Sequence, residues 1–273
     1  MQIEQKVFGE IENQDVIQFS ISNNSGFTVR FINYGCVITD IIAPDSNGNM
    51  KNVALGFDHL DDYVNHSPYF GAVVGRIAGR IADSQFNLND KTYKITQNEG
   101  KNHLHGGIKG FSHVLWDYQV IEKPDSIGVE FTYTSKAGEE GFPGNVEVTT
   151  TYMVNEINQL DIYYHATTDE DTIINLTNHT YFNLSGDLNN TIKNHLLQLD
   201  SSRFLELRED SIPTGQAVSV EGTPFDFLTS KPISQGMDNG FRQNELVGNG
   251  NEIVSSRSFG NLCGYGVFKY STT

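Results

Sequence analysis

Two histidine-containing segments carry the residue types best suited to proton transfer near neutral pH. The first, residues 102–107, reads NHLHGG and places His103 and His105 on one face of an extended segment, followed by two glycines that let a ligand approach the backbone. The second, residues 178–184, reads NHTYFNL and surrounds His179 with hydrogen-bonding Asn, Thr and Tyr. Together they predict a polar site capable of acid and base chemistry.

A third segment, residues 75–81, reads GRIAGRI and contains Arg76 and Arg80 in a chain with only 18 basic residues. Arginine recognises oxygen-rich ligands through a planar set of donors. Either arginine taken alone would be interpreted as a solvated surface residue. The segment lacks the Lys-Ser/Thr pair of a phosphate loop and the glycine spacing of a dinucleotide fingerprint, so no nucleotide site is predicted.

The His-x-His pair of the first segment could also bind a metal ion. A cupin-like site would place a carboxylate about four residues after the second histidine, where Lys109 stands. Further ligands at metal spacing are not evident, so we predict no metal ligands. A metal-dependent β-barrel enzyme that uses this pair is kept as a third hypothesis. A purely structural hydrogen bond in the core is the alternative for either His103 or His105.

The elements that must position these residues are predicted to be strands. Apolar and polar residues alternate with a period of two over residues 129–134, 146–152 and 160–164, which is typical of half-buried strands. Clusters of Gly, Asn, Asp and Pro separate such runs. The sequence therefore predicts an all-β chain of antiparallel sheets, packed as a sandwich or a barrel.

Between the strands the sequence predicts one short helix and several turns. The helix spans residues 58–65, with Asp58 as its cap and Leu60, Tyr63 and Val64 facing inward. Residues 138–144 are interpreted as a turn in which Glu139 and Glu140 are exposed.

Composition excludes several classes of protein. The chain has 273 residues with 34 acidic and 18 basic side chains, a net charge of −16, which excludes the basic surface that nucleic acid requires. No apolar run is long enough to span a bilayer, and the first twenty residues do not resemble a signal peptide. We therefore expect a cytoplasmic protein without membrane or nucleic-acid partners, with Cys36 and Cys263 as buried free thiols. The oligomeric state is not predicted.

Taken together, the segments resemble the aldose 1-epimerase (galactose mutarotase) family. Seven motifs follow one another in the order of that family and span most of the chain. They are NYGCVITDI at 33–41, GRIAGRI at 75–81, NHLHGG at 102–107, GEEGFPGN at 138–145, LTNHTYFNLSG at 176–186, IPTG at 212–215 and GTPFDF at 222–227. The resemblance implies a large antiparallel β-sandwich with a shallow carbohydrate cleft.

The resemblance also implies a reaction and the residues that carry it. Hexoses such as galactose and glucose would change anomer by acid/base ring opening and closure, without a cofactor, within hexose metabolism. His179 would protonate the ring oxygen, His105 would hydrogen-bond or orient the sugar, and Arg80 and Tyr181 would contact it. Family members often carry Asn where this chain has Gly79, a substrate-binding position, so one side-chain hydrogen bond is expected to be lost.

The chain departs from the family after about residue 240. The sugar-binding Asp in a Gly-x-Asp-His context and the general-base Glu are not found, and neither Glu245 nor Glu252 has the expected surroundings. Residues 234–273 carry three basic and three acidic residues, so all the net negative charge lies in 1–233. We therefore expect a mutarotase-like sandwich domain over 1–233 and a divergent tail over 234–273, disordered or frame-shifted. A carbohydrate-binding member impaired in catalysis is the alternative function.

Overall fold

A computed structural model describes residues 1–237 and 240–246. Over these residues the chain forms nineteen strands and two short α-helices. The strands are β1 Gln2–Ile11, β2 Gln14–Ser22, β3 Thr28–Ile32, β4 Ile38–Pro44, β5 Met50–Asn52, β6 Val73–Val74, β7 Arg80–Ile81, β8 Gln85–Leu88, β9 Lys91–Lys94, β10 His103–Leu104, β11 Asp117–Lys123, β12 Ser126–Ser135, β13 Val146–Asn155, β14 Leu160–Thr168, β15 Thr177–Asn178, β16 Leu196–Leu197, β17 Arg203–Leu207, β18 Pro213–Ser219 and β19 Lys231–Pro232. The helices are α1 Leu60–Asn65 and α2 Arg242–Leu246.

Two antiparallel sheets dominate the first compact unit, which spans Met1–Gly186. One sheet has the strand order β1-β2-β3-β4-β5 and the other β11-β12-β13-β14. Neighbours in each sheet are also neighbours in sequence, so both sheets are meanders of consecutive hairpins. In β13 the residues Val146, Val148, Thr150 and Tyr152 are buried while those between them are not. The period-two pattern therefore predicted this strand and its inner face correctly.

The core lies between the inner faces of the two sheets. Phe19 and Phe31 come from the first sheet, and Phe131 and Tyr152 from the second, and all four are buried. The rings of Phe19 and Phe131 are 5.8 Å apart, and those of Phe31 and Tyr152 are 5.2 Å apart, both edge to face. Such pairs stabilise the packing beyond the burial of their area. The predicted all-β sandwich is confirmed.

Two very short strand pairs attach the histidine segments to one stretch of chain. Strand β15 pairs with β6, so Asn178 lies opposite Val73. Strand β10 pairs with β7, so Leu104 lies opposite Arg80. Because β6 and β7 are only five residues apart in sequence, these pairings bring both histidine segments to the GRIAGRI segment.

The predicted helix exists but is shorter than expected. It begins at Leu60, and its cap is His59 rather than Asp58. Leu60 and Tyr63 are buried as predicted, whereas Val64 is 39% exposed. A helix of six residues makes fewer than two turns, so it buries only a narrow stripe. Helix α2 was not predicted, because five residues carry no recognisable period.

The second compact unit begins at Asp187. Its described part contains the antiparallel pairs β16 with β19 and β17 with β18. Phe204, Val220 and Phe225 form a small core of their own. The domain boundary expected at residue 233 stays a prediction, since most of 234–273, including Glu252 and Cys263, lies outside the described residues. Within the part of the chain that the structure describes, neither helix is long and apolar enough to cross a membrane.

Candidate active site

His179 is held in place by the backbone of the β6 region. Its own N–H donates to the carbonyl of Ala72 at 2.8 Å, and the N–H of Gly71 donates to the carbonyl of His179 at 3.2 Å. The side-chain amide of Asn178 donates to the carbonyl of Gly71 at 2.9 Å and to the hydroxyl of Tyr152 at 3.1 Å. These bonds fix the backbone at His179 and therefore the position from which its imidazole extends.

His105 is held by a reciprocal pair of bonds to Gly79. The backbone N–H of His105 donates to the carbonyl of Gly79 at 3.0 Å. The N–H of Gly79 donates to Nδ1 of His105 at 3.0 Å. Because Nδ1 accepts, the proton of the neutral ring must reside on Nε2. His105 therefore presents an N–H donor away from Gly79.

The backbone at His105 turns sharply into the next two residues. His105, Gly106 and Gly107 have φ values of 52°, 89° and 102°, all in the left-handed region that glycine tolerates best. A side chain at Gly106 would overlap the carbonyl of Gly75. Close packing against the GRIAGRI segment therefore requires glycine at 106, while a side chain at Gly107 would meet the side chain of Glu140.

Burial keeps the His105 ring neutral at physiological pH. Burial, with smaller contributions from the nearby imidazole of His179 and the guanidinium of Arg80, lowers the pKa of His105 to about 4, although the carboxylate of Glu99 acts in the opposite direction. A ring that is neutral at pH 7 is a hydrogen-bond donor rather than a proton source.

Aromatic rings surround the two imidazoles. The ring centroids of His105 and His179 are 5.2 Å apart, and the two planes are nearly perpendicular at 83°. Tyr69 lies 4.8 Å from His105 and 5.7 Å from His179, and Tyr181 lies 5.1 Å from His179. Tyr181 in turn packs on Phe70 at 4.9 Å and is 39% exposed. The site is a cluster of four rings, of which Tyr181 is exposed.

Arg80 is locked by a carboxylate that the sequence analysis did not single out. Its Nε donates to Oε2 of Glu99 at 2.7 Å, and its Nη2 donates to Oε1 at 2.8 Å, which is a two-point ion pair. Glu99 belongs to a turn closed by the pairing of Glu99 with Asn102. This pair fixes the plane of the guanidinium that the resemblance assigns to sugar binding.

We expect Glu99→Gln to weaken sugar binding more than it weakens the fold. The amide cannot hold the guanidinium by two charged bonds, so Arg80 would sample several orientations. KM for anomer relaxation should rise by about three- to tenfold, while the free energy of unfolding should change by less than about 1 kcal/mol, because the pair is partly exposed. Kinetics and urea denaturation of Glu99→Gln, with Glu122→Gln on the outside of β11 as the control, measure both. Equal KM values in the two variants would contradict this expectation.

The lowered pKa of His105 also predicts how the free energy of unfolding depends on pH. Its pKa is about 4 when folded, against an ordinary value of 6.5, so the unfolded chain binds more protons between these values. The contribution of neutral His105 to the free energy of unfolding is complete above pH 6.5 and is lost as the pH falls toward 4. Urea denaturation between about pH 7 and pH 4.5 should show this loss, and His105→Gln should show less of it. Identical pH profiles for the two proteins would argue against buried, neutral His105.

The first arginine of GRIAGRI, Arg76, has a structural role instead. Arg76 is 2% exposed and donates to the carbonyls of Ser135, Lys136, Pro143 and Gly144 at 2.7–3.0 Å. It also donates to the hydroxyl of Ser135 at 2.9 Å. It is therefore neither a surface residue nor a sugar contact, but it secures the loop between β12 and β13.

The loop that Arg76 secures contains Glu139 and Glu140, which were expected to be exposed in a turn. The turn is present, but Glu139 accepts from the hydroxyls of Tyr133 and Ser135 at 2.7 and 2.6 Å. Glu140 accepts from the backbone N–H of Lys109 at 2.8 Å and of Ile108 at 3.2 Å. The carboxylate of Glu140 thus holds the segment that follows His105.

The other member of the His-x-His pair belongs to the core. His103 is fully buried, its Nδ1 donates to the carbonyl of Thr96 at 2.7 Å, and its ring packs on Phe142 at 5.3 Å. The turn at His105 separates the two side chains, so they do not share the face expected of an extended segment. Across residues 1–237 and 240–246, no group of three or more His, Cys, Asp or Glu is arranged to hold a metal ion.

The predicted site residues thus fall into one cluster in the first unit. His179, His105, Tyr181, Arg80 and Gly79 lie together, with Gly79 bonded to the ring of His105. Gly79 has φ 90° and no atom within 4 Å of the position of a Cβ, so a side chain would have room but a strained backbone. Sequence reasoning missed Tyr69 and Glu99. The Pro-Tyr-Phe-Gly run at 68–71 was the one signal for an aromatic turn entering the site.

Comparisons with known proteins identify the relatives of this arrangement. The sequence profile described as Aldose 1-epimerase matches residues 18–259. Galactose mutarotase from Bos taurus is 45% identical over 208 residues, 76% of this chain, and aldose 1-epimerase from Streptococcus thermophilus is 34% identical over 253 residues, 92% of this chain. The chain spans 59% of the length of the first relative and 72% of the second. The crystal structure of galactose 1-epimerase from Lactobacillus acidophilus superposes with a TM-score of 0.82 at 28% identity, covering 90% of this chain and 71% of that one.

Proposed function

Because the chain belongs to the aldose 1-epimerase family, we propose that it interconverts the α and β anomers of hexoses such as galactose and glucose. The reaction needs a base that removes the proton of the anomeric hydroxyl and an acid that protonates the ring oxygen. The ring opens, the aldehyde turns about the bond between C1 and C2, and closure on its other face yields the opposite anomer. The base takes up one proton and the acid gives up one, so the reaction needs no cofactor.

The observation that carries the proposal is the crossed pair of imidazoles. His105 is neutral and offers an N–H donor at Nε2, and His179 lies 5.2 Å away at a steep angle. Two groups on one small ligand can reach such a pair at once. We assign to His179 the proton donation to the ring oxygen, and to His105 a hydrogen bond to an adjacent sugar oxygen.

Binding in this proposal rests on the groups around the imidazoles. Arg80, oriented by Glu99, contacts sugar hydroxyls through its planar donors. The exposed edge of Tyr181 offers an apolar face to the pyranose ring and a hydroxyl to its rim. Gly79 leaves open space where a side chain would give one more hydrogen bond, so we expect looser selection among hexoses.

The base is left unassigned. Glu245 forms an ion pair with Arg242 at 3.3 Å within α2, and Glu252 lies outside the described residues. Neither glutamate is assigned as the base.

We propose that the reaction serves hexose metabolism in the cytoplasm.

Polarimetry of freshly dissolved α-D-galactose and α-D-glucose tests the proposal. We expect the optical rotation to relax faster with the protein than in buffer alone, in proportion to protein concentration. Relaxation at the buffer rate would refute catalysis.

The second candidate function is sugar binding without turnover. It is favoured by the Arg80–Glu99 pair and the His105 donor, which form a polar binding surface that does not depend on a base. Calorimetric titration with galactose separates the two functions. Heat of binding together with relaxation at the buffer rate would support this candidate, and an absence of binding heat would exclude it.

A further inference from the structure

Tyr69 occupies a turn whose backbone conformation is unusual for an aromatic residue. Its φ is 64°, in the left-handed region that favours glycine. The turn is closed by the N–H of Ala72, which donates to the carbonyl of Tyr69 at 3.1 Å, and by the N–H of Phe70, which donates to Oγ of Ser67 at 2.9 Å. A residue kept in such a conformation is usually kept there for the placement of its side chain.

The ring of Tyr69 contacts both site histidines. Its centroid lies 4.8 Å from that of His105 at an interplanar angle of 71°, and 5.7 Å from that of His179 at 38°. It also lies 5.9 Å from the ring of His113, whose Nδ1 is 2.8 Å from the hydroxyl of Ser112. Tyr69 is thus the ring that touches three imidazoles, and it separates the site pair from His113.

We propose that Tyr69 is a positioning residue of this site, whose ring fills the space beside His105 and His179 and holds the two imidazoles in their crossed arrangement. The inference deepens the proposed function and rests on it for its catalytic consequence. The placement of the two imidazoles by Tyr69 rests on the ring contacts alone. No step of the reaction uses the hydroxyl of Tyr69.

Several charged or titratable groups face His105 besides this ring. His179 approaches from the segment after β15, Arg80 from β7, Glu99 from the turn before β10, and His103 from β10 itself. Arg80 and Glu99 act in opposite directions on the His105 ring, and burial is the largest influence on it. Since the ring of Tyr69 is part of what buries His105, its removal should admit water there.

The test compares Tyr69→Ala with Tyr69→Phe, which keeps the ring. Proton NMR of the imidazoles, without any ligand, follows the titration of His105. In the parent protein and in Tyr69→Phe we expect a midpoint near the pKa of about 4. In Tyr69→Ala the midpoint should rise by about one pH unit toward the ordinary value. Tyr69→Leu replaces the alanine variant if the latter does not fold, because leucine also leaves part of the space open.

Kinetics supply the second readout. Loss of the ring should lower kcat for anomer relaxation by about tenfold or more with KM changed less than about threefold, while Tyr69→Phe stays near the parent rate. Parent protein that does not accelerate relaxation would refute the proposed function, and the NMR titration would still decide the role of Tyr69. The same His105 midpoint in all folded variants would overturn the inference, as would a Tyr69→Phe protein that behaves like Tyr69→Ala.

Discussion

Replacement of His179 by Ala should lower kcat for anomer relaxation by about 10²- to 10⁴-fold, which is the usual contribution of one positioned acid or base. His179 is the proton donor of the proposed reaction, and His105 cannot substitute for it because burial keeps that ring neutral. Sugar binding should persist, since Arg80 and the His105 donor are unchanged. Polarimetry measures the first effect and calorimetric titration the second.

The control for this experiment is an exposed histidine away from the cluster. His165 lies on β14 with an exposed side chain, and His165→Gln should relax the sugar at the parent rate. His113 is a poorer control, because its ring contacts Tyr69. Equal losses in His179→Ala and His165→Gln would remove the assignment of His179 as the acid.

Arg76→Met should lower the free energy of unfolding by about 3–5 kcal/mol. The methionine fills much of the space but donates no hydrogen bond, so the carbonyls of Ser135, Lys136, Pro143 and Gly144 are left buried without this donor. Urea denaturation followed by circular dichroism gives the free energy of unfolding.

Arg30→Met is the matched control, because the Arg30 side chain is 39% exposed and its ion pair with Asp40 is long at 3.7 Å. We expect a change of less than about 1 kcal/mol there. A similar loss in both variants would mean that the bonds of Arg76 contribute nothing beyond those of a surface arginine.

The sequence predicted the sheets well because their signal is periodic. The run in β13 alternates over seven residues, 146–152, which is long enough to identify its buried face. Strands β6, β7, β10 and β15 have two residues each, and two residues carry no period. These short strands place the histidine segments, so the sequence singled out these residues without showing how they meet.

The site itself was predictable only in part. His105 and His179 stood out through their residue type and polar neighbours, and Arg80 through the scarcity of basic residues. Glu99 appears as one acid among 34, and its role depends on the pairing of β7 with β10. Buried Arg76 donates to carbonyls that lie 59–68 residues away in sequence. No local sequence pattern reveals such distant partners.

The strand pairings also predict an order in which this unit folds. Each sheet forms from hairpins between neighbouring strands, which close short loops and therefore form early. The bond from Asn178 to Gly71 joins residues 107 positions apart, and that from Asn175 to Ala78 joins residues 97 apart. Closure of such long loops costs more chain entropy, so we expect His179 to reach His105 after the hairpins have formed. During refolding, the strands should be regained before the ability to bind sugar.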